Sequence, residues 1–89
     1  MSEDVFAKLR EQLELQEWPG VYFFKFIVPN NPDSIENTKS LFSKWAEITQ
    51  HKSKTGKYIS ISAKQFMESV EAIIDIYNRA QNIPGIISL

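Results

Sequence analysis

His51 is the only histidine among the 89 residues, so a Ser-His-Asp triad or a histidine-centred metal site would have to form around it without the usual neighbours. The chain has no cysteine, which removes thiolate nucleophiles, thiolate metal ligands and disulfides. Glu68, Glu71 and Asp75 recur at helical spacing. That spacing could suit an acid–base pair or a divalent ion, and equally suits a solvated helix face. Thr55-Gly56-Lys57 spells part of a phosphate loop but lacks the upstream glycine. It also leads into a strand, so the helix N-terminus that would cradle phosphate is missing. The expectation is a non-enzymatic protein with no catalytic, metal-binding or cofactor-binding residue.

Two constellations suit binding. Pro29-Asn30-Asn31-Pro32-Asp33-Ser34 lies between a strand and the start of a helix. Its free amides and the helix dipole could receive a small carboxylate, which makes Asn30, Asn31, Asp33 and Ser34 a candidate ligand loop. Asp33 opposes an anion, and helix capping accounts for the same residues. The second constellation is one face of a sheet, with Phe23, Lys25, Tyr58, Ser60 and Ser62 as its candidate interaction residues. Exposed aromatics beside lysines can stack bases and meet phosphates, so RNA binding is the alternative to protein contact.

These residues need elements to hold them. Val5, Phe6, Leu9 and Leu13 recur at helical spacing, predicting an amphipathic helix over about 2–16 that starts near Ser2 or Glu3. Trp18-Pro19-Gly20 ends it. Val21–Val28 is dense in aromatic and β-branched residues and reads as a strand, with Tyr22, Phe24, Phe26 and Val28 on the core side. The opposite side, Val21, Phe23, Lys25 and Ile27, is too apolar for bare solvent. Cover by the N-terminal helix or a second subunit is therefore expected.

Asn31 or Asp33 can cap a helix whose buried stripe would be Ile35, Thr38, Leu41, Phe42 and Trp45, ending near Ala46. Glu47–Ser53 reads as a polar edge strand. Ser53-Lys54-Thr55-Gly56 reads as a hairpin turn into a strand over Lys57–Ser62. Ser62 with Gln65 fits a capping box, predicting a helix that carries Phe66, Val70, Ile73, Ile74, Tyr77 and Ala80 on its apolar side. Ile83–Leu89 forms a last strand interrupted by Pro84-Gly85, with Gly85, Ile87 and Leu89 inward and Ile86 outward.

Composition fits one packed domain over 1–89, with 43% hydrophobic residues and three glycines. A net charge of −1 gives no global attraction for nucleic acid or an anionic membrane, although Lys44, His51, Lys52, Lys54, Lys57 and Lys64 gather in the middle. No apolar run approaches a membrane span and no leader is evident at Met1-Ser2-Glu3-Asp4, so a cytoplasmic address is expected.

After the leading helix the order is β-α-β-β-α-β. It predicts an α+β ferredoxin-like sandwich: a four-stranded antiparallel sheet with two helices on one face and an extra N-terminal helix. The hairpin strands are expected at the edges, with the first and last strands at least partly central.

The run Pro19-Gly20-Val21-Tyr22-Phe23-Phe24-Lys25-Phe26-Ile27-Val28, with Ser53-Lys54, Gly56-Lys57-Tyr58 and Ser60-Ile61-Ser62, resembles the DUF493 (YbeD-like, UPF0250) family of small bacterial proteins. The likeness spans nearly the whole chain. It implies a bacterial cytoplasmic protein similar in fold to the ACT-type regulatory domains of amino-acid metabolism, and it supplies no activity or catalytic residues. The reading is a regulatory or protein-interaction module that could sense a small metabolite and could form a homodimer.

Overall fold

The computed structural model describes residues 5–89. The expected helix start at Ser2 or Glu3 lies outside them. Within them the order is α1 (Ala7–Glu14), β1 (Gly20–Pro29), α2 (Pro32–Lys39), β2 (Glu47–Lys52), β3 (Tyr58–Met67), α3 (Val70–Ala80) and β4 (Ile87–Ser88).

Four antiparallel strands form one sheet in the order β2-β3-β1-β4. The longest ladder joins β1 to β3 from Gly20↔Met67 to Pro29↔Tyr58. It makes β3 central rather than an edge, and β4 an edge rather than central. The length of β3 also corrects the expected capping box: Ser62 and Gln65 are ladder residues, and α3 begins only after Ser69. There the Ser69 side chain accepts the Ala72 N–H at 3.1 Å. A ten-residue partner strand outweighs the local helical pattern, because each further pair satisfies main-chain groups and buries an inward side chain.

Alternation along the strands divides the residues between two faces. Phe24, Phe26 and Val28 of β1 and Ile59, Ile61, Ala63 and Met67 of β3 are buried under the helices. Helix α3 adds Ile73, Ile74, Ile76, Tyr77 and Ala80 to this core, and the turns after α2 add Leu41 and Phe42. Trp45 does not join them. The helix stops at Lys39, and the turns that follow leave the indole 81% exposed.

Helix α1 packs on α3, not on the sheet's other face. Phe6 lies against Tyr77 with ring centroids 6.1 Å apart, and Arg10 pairs with Glu71. Leu13 is only 1% exposed, a burial that contributes about 2 kcal/mol. The expected cover of the outer sheet face by the N-terminal helix is therefore corrected.

At the C-terminal end Gly85 takes a positive φ of 75° and Ile86 N–H reaches back to the Ile83 carbonyl. This turn reverses the expected facing of the last strand. Ile86 packs on the core, while Ile87 pairs with Ile27 and shares its outward face.

Candidate interaction surface

The loop proposed to take a ligand is engaged within the chain. Asn31 caps α2, its Oδ1 accepting the Ser34 N–H at 2.8 Å, and Pro32 follows at the first helical position. Ser34 is buried and its carbonyl accepts from the Thr38 hydroxyl at 2.7 Å. Asn30 Nδ2 donates to the Gly56 carbonyl at 2.8 Å, and Asn30 N–H donates to Lys57 O at 2.9 Å. Asp33 is exposed in the first turn of α2, where its charge complements the helix dipole. The loop thus ties the start of α2 to the β2–β3 hairpin.

The carboxylates are dispersed. Glu68 precedes α3 rather than lying on it, Glu71 pairs with Arg10, and Asp75 accepts from Arg79 at 3.1 Å. His51 stands exposed on β2 opposite Ser60. Among the described residues no group of three or more His, Asp or Glu side chains could hold a metal ion.

Phe23, Lys25, Tyr58, Ser60 and Ser62 do come together on the outer face. Cross-strand pairs Phe23↔Lys64, Lys25↔Ser62 and Ile27↔Ser60 set their rows, and β2 extends them with Glu47, Thr49 and His51. The Lys64 ammonium lies 5.7 Å from the Phe23 ring centroid and 3.8 Å from the Glu47 carboxylate. The middle of the face is polar and its two ends are apolar.

One apolar end holds Val21, Phe23, Phe66 and Trp45. The other holds Ile27, Tyr58, Ile87 and Leu89. Phe23 is 69% exposed and Phe66 63%, so large rings meet solvent on a rigid sheet. Between Val21, Trp45 and Phe66 lies an open depression of about 290 Å³, walled also by Glu47, Lys64 and Gln65. That size is at the bottom of the roughly 300–1,000 Å³ range of small-molecule pockets and suits one protruding side chain.

Sequence reasoning missed Phe66, Trp45 and Ile87 as members of this face. Local spacing places Phe66 and Trp45 on helices, and Ile87 on the inward side of its strand. The missing signal for Phe66 was long-range: its place opposite Val21 depends on the β1–β3 register.

Tyr77 stands beneath β1, and its hydroxyl lies 3.0 Å from that of Tyr22. Burial, and then this hydrogen bond, push the Tyr77 phenol above the usual tyrosine range. The pair locks α3 to the sheet.

With that geometry in place, one comparison is informative: the family model described as a protein of unknown function (DUF493) matches residues 13–89. The chain belongs to the DUF493 family. No curated protein and no solved structure matches it. The DUF493 match begins at Leu13, the α1 residue sealed into the core, and takes in every strand and both helices that follow. No helix of the described residues is long and apolar enough to cross a membrane.

Proposed function

We propose that this DUF493 protein is a non-enzymatic, cytoplasmic regulatory or protein-interaction module, ferredoxin-like and ACT-like in fold, that binds a protein partner through its outer sheet face. The strand order β2-β3-β1-β4 with a β-α-β-β-α-β core supports the fold reading. The observation that carries the function is the exposure of Phe23, Phe66, Val21 and Ile87 on a face that α1 leaves open. Contiguous apolar patches of this kind mark contact surfaces. Sensing of a small metabolite is supported by likeness of the fold to ACT-type domains, whereas the open depression beside Val21, Trp45 and Phe66 suits a protruding side chain better than an enclosed small ligand.

A photo-crosslinking residue at Phe23 or Phe66, tested in cells and compared with the same residue at exposed Asn78 on α3, reads this function directly. Discrete adducts are expected from the face positions alone. Equal yields from all three positions, or none, would remove the reading.

The Phe23 ring flanked by Lys25 and Lys64 favours a second reading, RNA binding. Binding of single-stranded RNA should then weaken steeply as salt rises, with a log–log slope of about −2 for some three lysine contacts. Undetectable binding at low salt excludes it.

A further inference from the structure

The edge of the sheet beside β4 is only half filled. β4 pairs with Phe26 and Ile27, and Leu89 N–H reaches the Lys25 carbonyl at 2.9 Å. In an antiparallel ladder the N–H and C=O of one residue point to the same side and alternate along the strand. The main-chain groups of Val21 and Phe23 therefore point to this edge, while those of Tyr22 and Phe24 point to β3. Among the described residues no strand pairs with Val21 or Phe23 on this side. The open window, Gly20–Phe24, is about 17 Å long. It carries no charged residue and none of the devices that blunt edges, such as an internal proline or a lysine.

We infer that this window is a strand-addition site for a second copy of the chain, pairing β1 with β1 about Tyr22 across a two-fold axis. The register makes Val21 face Phe23 of the second copy and Phe23 face its Val21. Both are wide hydrogen-bonded pairs, so four main-chain bonds form. Tyr22 meets Tyr22 of the second copy as the narrow pair on the helical side.

The self-match is what selects this occupant. Val21, 50% exposed, and Phe23 on the outer face are both apolar, so each covers the other across the axis. Beyond the window the edge of Lys25 is taken by Leu89, so the second copy's chain leaves the ladder at Pro19, which has no N–H to donate. No like charges oppose. The axis is perpendicular to the sheet, so β4 of each copy lies in line with β1 of the other. The outer faces join into one surface. A five-residue pairing buries less than the roughly 800 Å² per partner of a standard stable interface, so the dimer dissociates on dilution. This contact lies on the edge of the sheet and goes beyond the face-binding role proposed above.

Sedimentation velocity over a micromolar to millimolar series is the test, with hydrogen exchange measured at both ends of it. The weight-average mass should rise from 10.3 kDa towards twice that value. Val21→Pro deletes an edge N–H that bonds nothing among the described residues, and Phe23→Glu sets two carboxylates near the axis. Each should hold the mass at the monomer throughout. The Val21 and Phe23 amides should exchange at least tenfold more slowly at high concentration, with Tyr22 and Phe24 unchanged. The exchange readout needs no variant to fold. A monomer at every concentration overturns the inference. So does a dimer that survives Val21→Pro yet is lost in Tyr58→Glu, which would move the contact to the face.

Discussion

The Asn30 side-chain amide donates to the Gly56 carbonyl at 2.8 Å, joining the loop ahead of α2 to the tip of the β2–β3 hairpin. Gly56 adopts φ +77°, and a Cβ there would meet only the Lys52 stem at 3.8 Å. Gly56→Ala should therefore cost about 1 kcal/mol, the strain of the left-handed backbone alone. Gly85 has nearly the same φ, but its Cβ would lie 2.9 Å from Pro29 Cγ, part of a rigid ring. Gly85→Ala should cost about 2–3 kcal/mol, strain plus overpacking. Thermal melts of the two variants give the comparison. Equal losses would mean that the Gly85 turn does not press on β1.

Two serines distinguish the strand from the helix that the sequence suggested in its place. Ser69→Ala removes the side chain that accepts the Ala72 N–H and should cost about 1 kcal/mol. Ser62→Ala, in mid-strand, should stay within about 0.5 kcal/mol. Urea unfolding of both variants measures the difference. A larger loss at Ser62 would restore it as the cap.

What the sequence made legible was local chemistry. The Asn31-Pro32 start of α2, the Gly56 turn and the inward set Tyr22, Phe24, Phe26 and Val28 all follow from residue type and short spacing. What it hid was decided by distant partners. Phe66 and Val70 lie four residues apart and mimic a helix, yet β1 holds Phe66 opposite Val21 on the outer face. Ile87 changed face because the Gly85 turn shifts the two-residue alternation by one position. The candidate face was thus half legible, through Phe23, Lys25, Tyr58, Ser60 and Ser62, and its apolar ends emerged only from the β1–β3 and β1–β4 registers. Residue types alone offer the Asn30–Ser34 loop both as a ligand site and as a helix cap, and Asn31 takes the capping role. Its bonds to the hairpin could not be seen from spacing, since Asn30 and Gly56 are far apart in sequence.

Alkaline unfolding should register Tyr77. Its phenol titrates near 10 in the unfolded chain and higher in the folded one, because burial and the Tyr22 bond favour the neutral form. The unfolded state then releases a proton that the folded state keeps. The associated stability is complete below pH 10 and falls as pH rises above it. Tyr77→Phe should cost about 1 kcal/mol at pH 8 through the lost hydrogen bond. The gap between the two proteins should narrow between pH 9 and 11, as the parent alone pays the proton cost. Parallel melting curves across that range would contradict the buried, bonded phenol.

Phe24 and Phe66 carry the same side chain on opposite faces of the sheet, and their truncations should differ several-fold. Phe24 is 1% exposed and lies 4.8 Å from Tyr22, 5.3 Å from Phe42 and 5.5 Å from Tyr77, measured between ring centroids. Phe24→Ala leaves a cavity among these rings and should cost about 3–5 kcal/mol. Domains of this size have total stabilities near the low end of about 5–15 kcal/mol, so the variant should be largely unfolded at 37 °C. Phe66, opposite Val21 and open to solvent, loses little on truncation, and Phe66→Ala should stay within about 0.5 kcal/mol. Urea midpoints measure both. A Phe66→Ala loss as large as that of Phe24→Ala would mean that the outer face is covered within the monomer, which would leave no free surface for a partner.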